Sequence, residues 1–249
     1  MTDEQIYESD KRDYLPVFAR YQIVLDHGEG VYVYDTHGKK YIDFLGGIAV
    51  NVLGHNHPAL VKAVAEQAGK MIHCSNLYYT QVQADAAEKL TKLSGFGKVF
   101  FGNSGAEANE GAIKVARKYA HTISPDKSQI ITALHSFHGR TLATLTATGQ
   151  PKYQEGFGPL PAGFDYVEYN NIEALEKMMS ENTAAVMLEP IQGEGGVHVP
   201  TAEYLKKVRA LCDKYNAVLI FDEIQTGIGR TGEFFAYDRE HEPFSDILR

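Results

Sequence analysis

The chain has 249 residues, enough for one large domain with part of a second and for a sizeable core. Lys and Arg number 24 against 32 Asp and Glu, a net charge of −8, and 44% of residues are apolar, a composition that excludes intrinsic disorder. Basic residues cluster no further than pairs such as Lys39-Lys40, so the positive footprint of a nucleic-acid binder is missing.

Two cysteines, Cys74 and Cys212, exclude a disulfide scaffold and a Cys-type zinc site and suit a reducing compartment. The first residues are acidic where a leader peptide would be basic. No uncharged apolar run approaches the roughly 20 residues of a membrane span, so the expectation is a cytoplasmic protein without a membrane partner.

Residues 1–13 are polar without periodicity and read as an arm, mobile or docked on a partner. Gly28, Gly30 and Gly38 punctuate Val31–Tyr34 and Tyr41–Phe44, two strands of a small hairpin. Leu60, Val61, Val64 and Ala68, then Ala86, Ala87, Leu90 and Leu93, recur at helical spacing within residues 58–69 and 80–93. Lys98–Phe101 reads as a strand that stops at Gly102. A helix then starts at Ser104, where Ser104 and Glu107 fit a capping box and Ala108, Ala112, Val115 and Tyr119 form one face.

Ile130–Leu134, Ala184–Leu188 and Ala217–Phe221 are further strands, and Leu205, Val208, Leu211 and Tyr215 line a crossover helix between the last two. The expected architecture is α/β: an N-terminal arm and hairpin over residues 1–57, then a large domain with a mostly parallel sheet and flanking helices over residues 58–249. No repeat or low-complexity tract interrupts it.

Ligands of such sheets bind outside the carboxyl ends of the strands, so chemistry is sought just after each apolar run. Ser104-Gly105-Ala106 is a small-residue turn at a helix N-terminus, either an anion site or an ordinary cap. Ser136–Arg140 carries an aromatic ring and a guanidinium, which is a planar partner for a carboxylate or else a solvated loop residue. Glu189–Gly196 is glycine-rich around Glu194, a close backbone approach to a ligand or a plain connector.

Asp222-Glu223-Ile224-Gln225 puts an acid at the end of an apolar strand, where it binds a cation, a protonated ring nitrogen or a helix cap. A nucleotide hydrolase would also need G-x-x-x-x-G-K-[ST], which is absent, since Gly38-Lys39 is followed by Lys40 and position 33 is Val. His55 with His57, and His135 with His138, lack a third ligand at metal spacing and read as packing or turn residues, so no metal is expected. Tyr78-Tyr79 reads as core or interface.

Together these strings, with Asp43–Val50, Leu53–Pro58, Asn103–Glu110, Phe137–Thr141, Gly149–Tyr153, Gly156–Pro159, Glu189–Val197 and Asp222–Gly232, resemble the class III aminotransferases of the fold-type I pyridoxal-phosphate enzymes, from about Tyr14 to Leu248. Their acetylornithine branch is the most similar. The resemblance implies a fold-type I large domain and pyridoxal 5'-phosphate as cofactor. It implies the phosphate on the Ser104 turn, at the amides of Gly105 and Ala106, with Ala106 standing where relatives often carry Thr. It also implies Phe137 and Ile224 on the two faces of the ring, Asp222 on the ring nitrogen, Gln225 near the ring hydroxyl and Glu223 contributing backbone. Arg140 would clamp a substrate carboxylate, and Glu194 matches a gating acid that pairs with a later Arg.

The family's Schiff-base Lys lies just beyond the strand that follows Asp222–Gln225, and none of the 16 lysines aligns there. The expectation is a truncated form or a fragment, with the C-terminal part, its small domain and the partner-subunit phosphate contact missing. The implied reaction moves the δ-amino group of N-acetylornithine to 2-oxoglutarate in arginine biosynthesis, in a cytoplasmic homodimer. The alternatives are another ω-aminotransferase (ornithine, succinylornithine, 4-aminobutyrate or lysine type), or a non-catalytic remnant that binds cofactor or a partner subunit.

Overall fold

The Thr2 hydroxyl accepts the Gln5 amide while the Gln5 side chain accepts the Thr2 amide, a reciprocal cap that opens helix α1, Asp3–Asp13. The segment expected as an arm is therefore helical. Its sequence shows no period because no face of the helix is buried, and it is supported instead by Asp3 and Glu4 in the first turn and Lys11 and Arg12 in the last. Thr36 donates to Asp3 at 2.7 Å, tying α1 to the strands that follow.

The computed structural model describes residues 1–237 and 246–248, divided into two units, Met1–Tyr79 and Thr80–Arg249.

In the first unit, β1 (Leu25–Glu29), β2 (Tyr32–Asp35) and β3 (Lys40–Ile42) form an antiparallel sheet in that order. The short turn α2 (Gly46–Ala49) and helix α3 (Pro58–Ala68) follow. Asp35 accepts the amides of His37 and Lys39 and the Tyr41 hydroxyl, which fixes the β2–β3 turn. His55 Nε2 lies 2.7 Å from Asp43, so this histidine is a packing partner. A Cβ at residue 28 would meet the His55 ring at 2.5 Å, which accounts for Gly28. Helical spacing in α3 identified an apolar face but not the body it belongs to; α3 falls in the first unit, beyond the expected boundary at residue 57.

In the second unit, α4 (Gln81–Ser94) ends at Gly95, whose φ of 72° is the left-handed cap glycine favours. Lys98–Phe101, expected as a strand, has no hydrogen-bonded neighbour among the described residues and leaves both phenylalanines exposed. Then come α5 (Gly105–Ile123), β4 (Gln129–Ala133), α6 (Leu142–Ala147), α7 (Pro151–Gln154), β5 (Phe164–Val167), α8 (Ile172–Met178), β6 (Thr183–Leu188), α9 (Ala202–Lys214), β7 (Val218–Phe221) and β8 (Ile247–Leu248).

The strands lie in the order β5-β4-β6-β7-β8, all parallel. Alternation sends Val186, Leu188, Leu219 and Phe221 against Leu175 of α8 and Val208 of α9, and Ala185, Met187 and Ile220 against Ala112, Ile113 and Ala116 of α5. Both faces are covered, which is why these strands read as unbroken apolar runs. The buried stripe of α5 is Asn109, Ala112, Ile113, Ala116 and Ala120, whereas Val115 and Tyr119 of the expected face are exposed. Alanines dominate the face that meets the sheet, with Ile113 among them, because small residues allow close approach.

Beneath the amino ends of the strands, the buried Lys127 ammonium donates to the carbonyls of Glu181 and Tyr215 at 3.0 and 2.8 Å. No helix among the described residues is long and apolar enough to cross a membrane.

Candidate active site

The carboxyl ends of β4, β6 and β7 and the N-terminus of α5 enclose a cavity of about 320 Å³, at the lower end of the range for small-molecule sites. Among the described residues it is lined by eight positions singled out from sequence: Gly105, Ala106, Phe137, Arg140, Glu194, Asp222, Ile224 and Gln225. They come from the loops after β4, β6 and β7, which parallel strands deliver to one edge, and from the start of α5.

Ser104 is the N-cap of α5 and accepts the Glu107 amide at 3.2 Å. The capping box is only half made: Glu107 reaches back to the backbone and side-chain amides of Asn103 instead of to Ser104. Ser104 is thus occupied in capping and does not line the cavity. It stands at the N-terminus of α5, the positive end of the helix dipole, which favours an anion. A Cβ at residue 105 would come within 3.0 Å of Ile224, and one at residue 139, where φ is 130°, within 2.7 Å of Thr144 and 2.9 Å of Ala106. These two glycines let Ile224 and the Phe137 loop close onto the helix start.

Asp222 is buried, with 4% of its surface exposed. Its Oδ2 accepts from Asn109 Nδ2 at 3.2 Å and lies 2.7 Å from His138 Nδ1, which donates; Oδ1 accepts the Ile224 amide. Asn109 also donates to the His138 carbonyl, so the three residues form one network. Glu223, expected beside Asp222 at the cofactor, does not line the cavity. Alternation turns it to the other side, where its carboxylate accepts the Thr226 hydroxyl and the amides of Ala236 and Tyr237.

Glu189 follows β6 and accepts the Phe137 amide at 3.2 Å. Burial, and then the charge of Asp222, push its carboxyl up to about 8. It thus keeps a proton at neutral pH and adds no second negative charge next to Asp222. Gln225 donates to Glu194 at 3.0 Å, linking the loops after β6 and β7, and Gly193 allows it, since a Cβ there would lie 2.1 Å from Gln225 Oε1.

Asn109, His138 and Glu189 also line the cavity without a site role assigned from sequence, and His138, expected as a packing or turn residue, lies against Asp222. Asn109 had a readable signal, four residues after Gly105 and so on the same helix face. His138 and Glu189 belong to the loops after β4 and β6, but nothing in sequence marks them as facing Asp222. No cluster of three or more metal-ligating side chains occurs among the described residues.

The model of a family described as aminotransferase class-III matches residues 16–248. An acetylornithine aminotransferase from Methanocaldococcus jannaschii is 54% identical over 239 residues, 96% of this chain and 60% of that one. Among solved structures, an acetylornithine aminotransferase from Elizabethkingia anophelis superposes with a TM-score of 0.84 at 38% identity, covering 100% of this chain and 60% of its own. An ornithine aminotransferase from Toxoplasma gondii, described with partial occupancy of PLP at its active site, gives a TM-score of 0.94 at 35% identity, covering 99% of this chain and 59% of that one. The chain spans about 60% of the length of the curated relatives it matches.

Proposed function

The chain belongs to the class-III aminotransferases, and on that premise we propose that it is the cofactor-holding portion of an acetylornithine-type aminotransferase, which moves the δ-amino group of N-acetylornithine to 2-oxoglutarate in arginine biosynthesis. The observation that carries this reading is Asp222, a buried acid oriented by Asn109 and His138 within the cavity that also holds the start of α5.

Pyridoxal 5'-phosphate fits this donor set. The helix start at Gly105 and Ala106 suits its phosphate, Phe137 and Ile224 its two faces, Gln225 its hydroxyl, and the Asp222 carboxylate its protonated ring nitrogen. When bound, the cofactor supplies an electron sink for the pair left behind by a departing proton. The chain's own residues bind and orient. The Asp222 charge holds a proton on the ring nitrogen, the Arg140 guanidinium receives a ligand carboxylate, and Glu194 with Gln225 links the two loops at the rim. In this reading the protein is cytoplasmic and pairs with a second copy. Support for pairing comes from the first unit, which exposes Phe44, Ile72, Leu77 and Tyr79 at 84% or more of their surface.

A second reading, cofactor binding without turnover, is favoured by one observation: among the described residues no lysine lines the cavity. Acid–base relay by a positioned side chain contributes typically 10²- to 10⁴-fold. One experiment separates the two. Purified chain is titrated with pyridoxal 5'-phosphate by absorbance, alongside Asp222→Ala, and then given N-acetylornithine and 2-oxoglutarate while glutamate is followed. Saturable binding lost in Asp222→Ala supports the cofactor site, and its absence overturns it. Robust glutamate formation removes the non-catalytic reading. Replacing N-acetylornithine by ornithine, succinylornithine or 4-aminobutyrate ranks the donors.

A further inference from the structure

Arg140 stands at the cavity with its guanidinium carbon 4.7 Å from the centre of the Tyr153 ring and 5.8 Å from that of Phe137. The two rings meet edge to face, 5.8 Å apart at 77°. Among the described residues Arg140 has no carboxylate within ion-pair distance, although it is exposed. Tyr153 does not line the cavity. It sits on α7, which the Gln154 side chain clamps to α6 by donating to the carbonyls of Leu145, Thr146 and Thr148.

A flexible arginine that must receive a carboxylate has to be oriented without being neutralised. An acidic neighbour would orient it but compete with the ligand, whereas an aromatic face attracts the cation through its quadrupole and leaves all the guanidinium donors available. We propose that Tyr153 is a positioning residue for carboxylate ligands: its ring is the shelf that holds Arg140 aimed into the cavity and sets it at a fixed distance from Phe137. This inference rests on the assignment of Arg140 as the carboxylate site. It adds a residue outside the cavity to the determinants of ligand affinity.

The test is calorimetric titration of the whole chain with pyridoxal 5'-phosphate, and then of the loaded chain with 2-oxoglutarate, for wild type, Tyr153→Phe, Tyr153→Leu, Arg140→Gln and the Arg140→Gln/Tyr153→Leu pair. Tyr153→Leu is expected to weaken 2-oxoglutarate binding about threefold to tenfold, the size of a cation–π contact at a partly exposed site. Tyr153→Phe, which keeps the ring, should stay within about twofold of wild type. Cofactor affinity should be unchanged by Tyr153→Leu, because Phe137 is also held through its amide by Glu189. In the Arg140→Gln background the leucine should have no further effect.

Unaltered 2-oxoglutarate binding in Tyr153→Leu, an equal loss in the Arg140→Gln background, or a parallel loss of cofactor affinity would each overturn the positioning role. If Arg140→Gln itself leaves 2-oxoglutarate binding intact, the assignment of Arg140 falls and the role of Tyr153 falls with it. If Arg140→Gln weakens binding and Tyr153→Leu does not, only the positioning role is lost.

Discussion

His138 Nδ1 and Asp222 Oδ2 lie 2.7 Å apart, with the imidazole wholly buried and its Nε2 facing no polar partner among the described residues. With Asn109 donating to the same oxygen, Asp222 receives charge-assisted hydrogen bonds that aim its carboxylate. Removing one donor exposes the cost of a buried, under-satisfied carboxylate. His138→Leu should lower stability by about 1–3 kcal/mol in urea titrations. It should also weaken pyridoxal 5'-phosphate binding at least tenfold, while Asn109→Ala, which removes the longer bond, should do less.

Glu189 makes stability fall as pH rises. Its folded value of about 8 lies above the ordinary carboxyl value of 4.5, so the folded chain holds a proton that the unfolded chain releases between those limits. Its contribution is intact below pH 4.5 and declines up to pH 8, at up to about 1.4 kcal/mol per pH unit. Thermal melts from pH 5 to 8.5 should show Glu189→Gln with a shallower decline than wild type. Identical slopes would mean that the carboxyl ionises normally.

Much of this arrangement is legible in sequence, and the illegible part has physical causes. Ile130–Leu134, Ala184–Leu188 and Ala217–Phe221 are readable because a strand covered on both faces is apolar throughout. Phe164–Val167 is an edge strand with Asp165 engaged by Gln129, so its pattern is broken and it gave no signal. Lys98–Phe101 misleads in the opposite direction, because β-forming residues report a preference and not a neighbour. In the site, Arg140 and Asp222 follow from what strand ends do, and Gly105 from the capped helix start at Ser104. The partnership of Asp222 with residues 84 and 113 positions away depends on side-chain direction, which periodicity does not encode.

Gly149 is where backbone passes backbone. A Cβ there would lie 2.1 Å from the Ala133 carbonyl oxygen, a clash that no rotamer relieves. Gly149→Ala should cost about 1–3 kcal/mol, and the midpoint should fall by roughly 2–4 °C for each kcal/mol, measured by scanning calorimetry. Gly193→Ala meets only the tip of Gln225 and should be milder in stability, while loosening the Gln225–Glu194 link.

Lys127 carries a consequence for the order of assembly. Its ammonium joins carbonyls 54 and 88 residues further along the chain, so the three groups come together only after both crossover connections have closed. Until then the charge stays in water, and the transition state gains nothing from it. Lys127→Met should accordingly speed unfolding and leave the refolding rate nearly unchanged in stopped-flow chevrons, acting as a late lock on the finished sheet rather than as part of its nucleus.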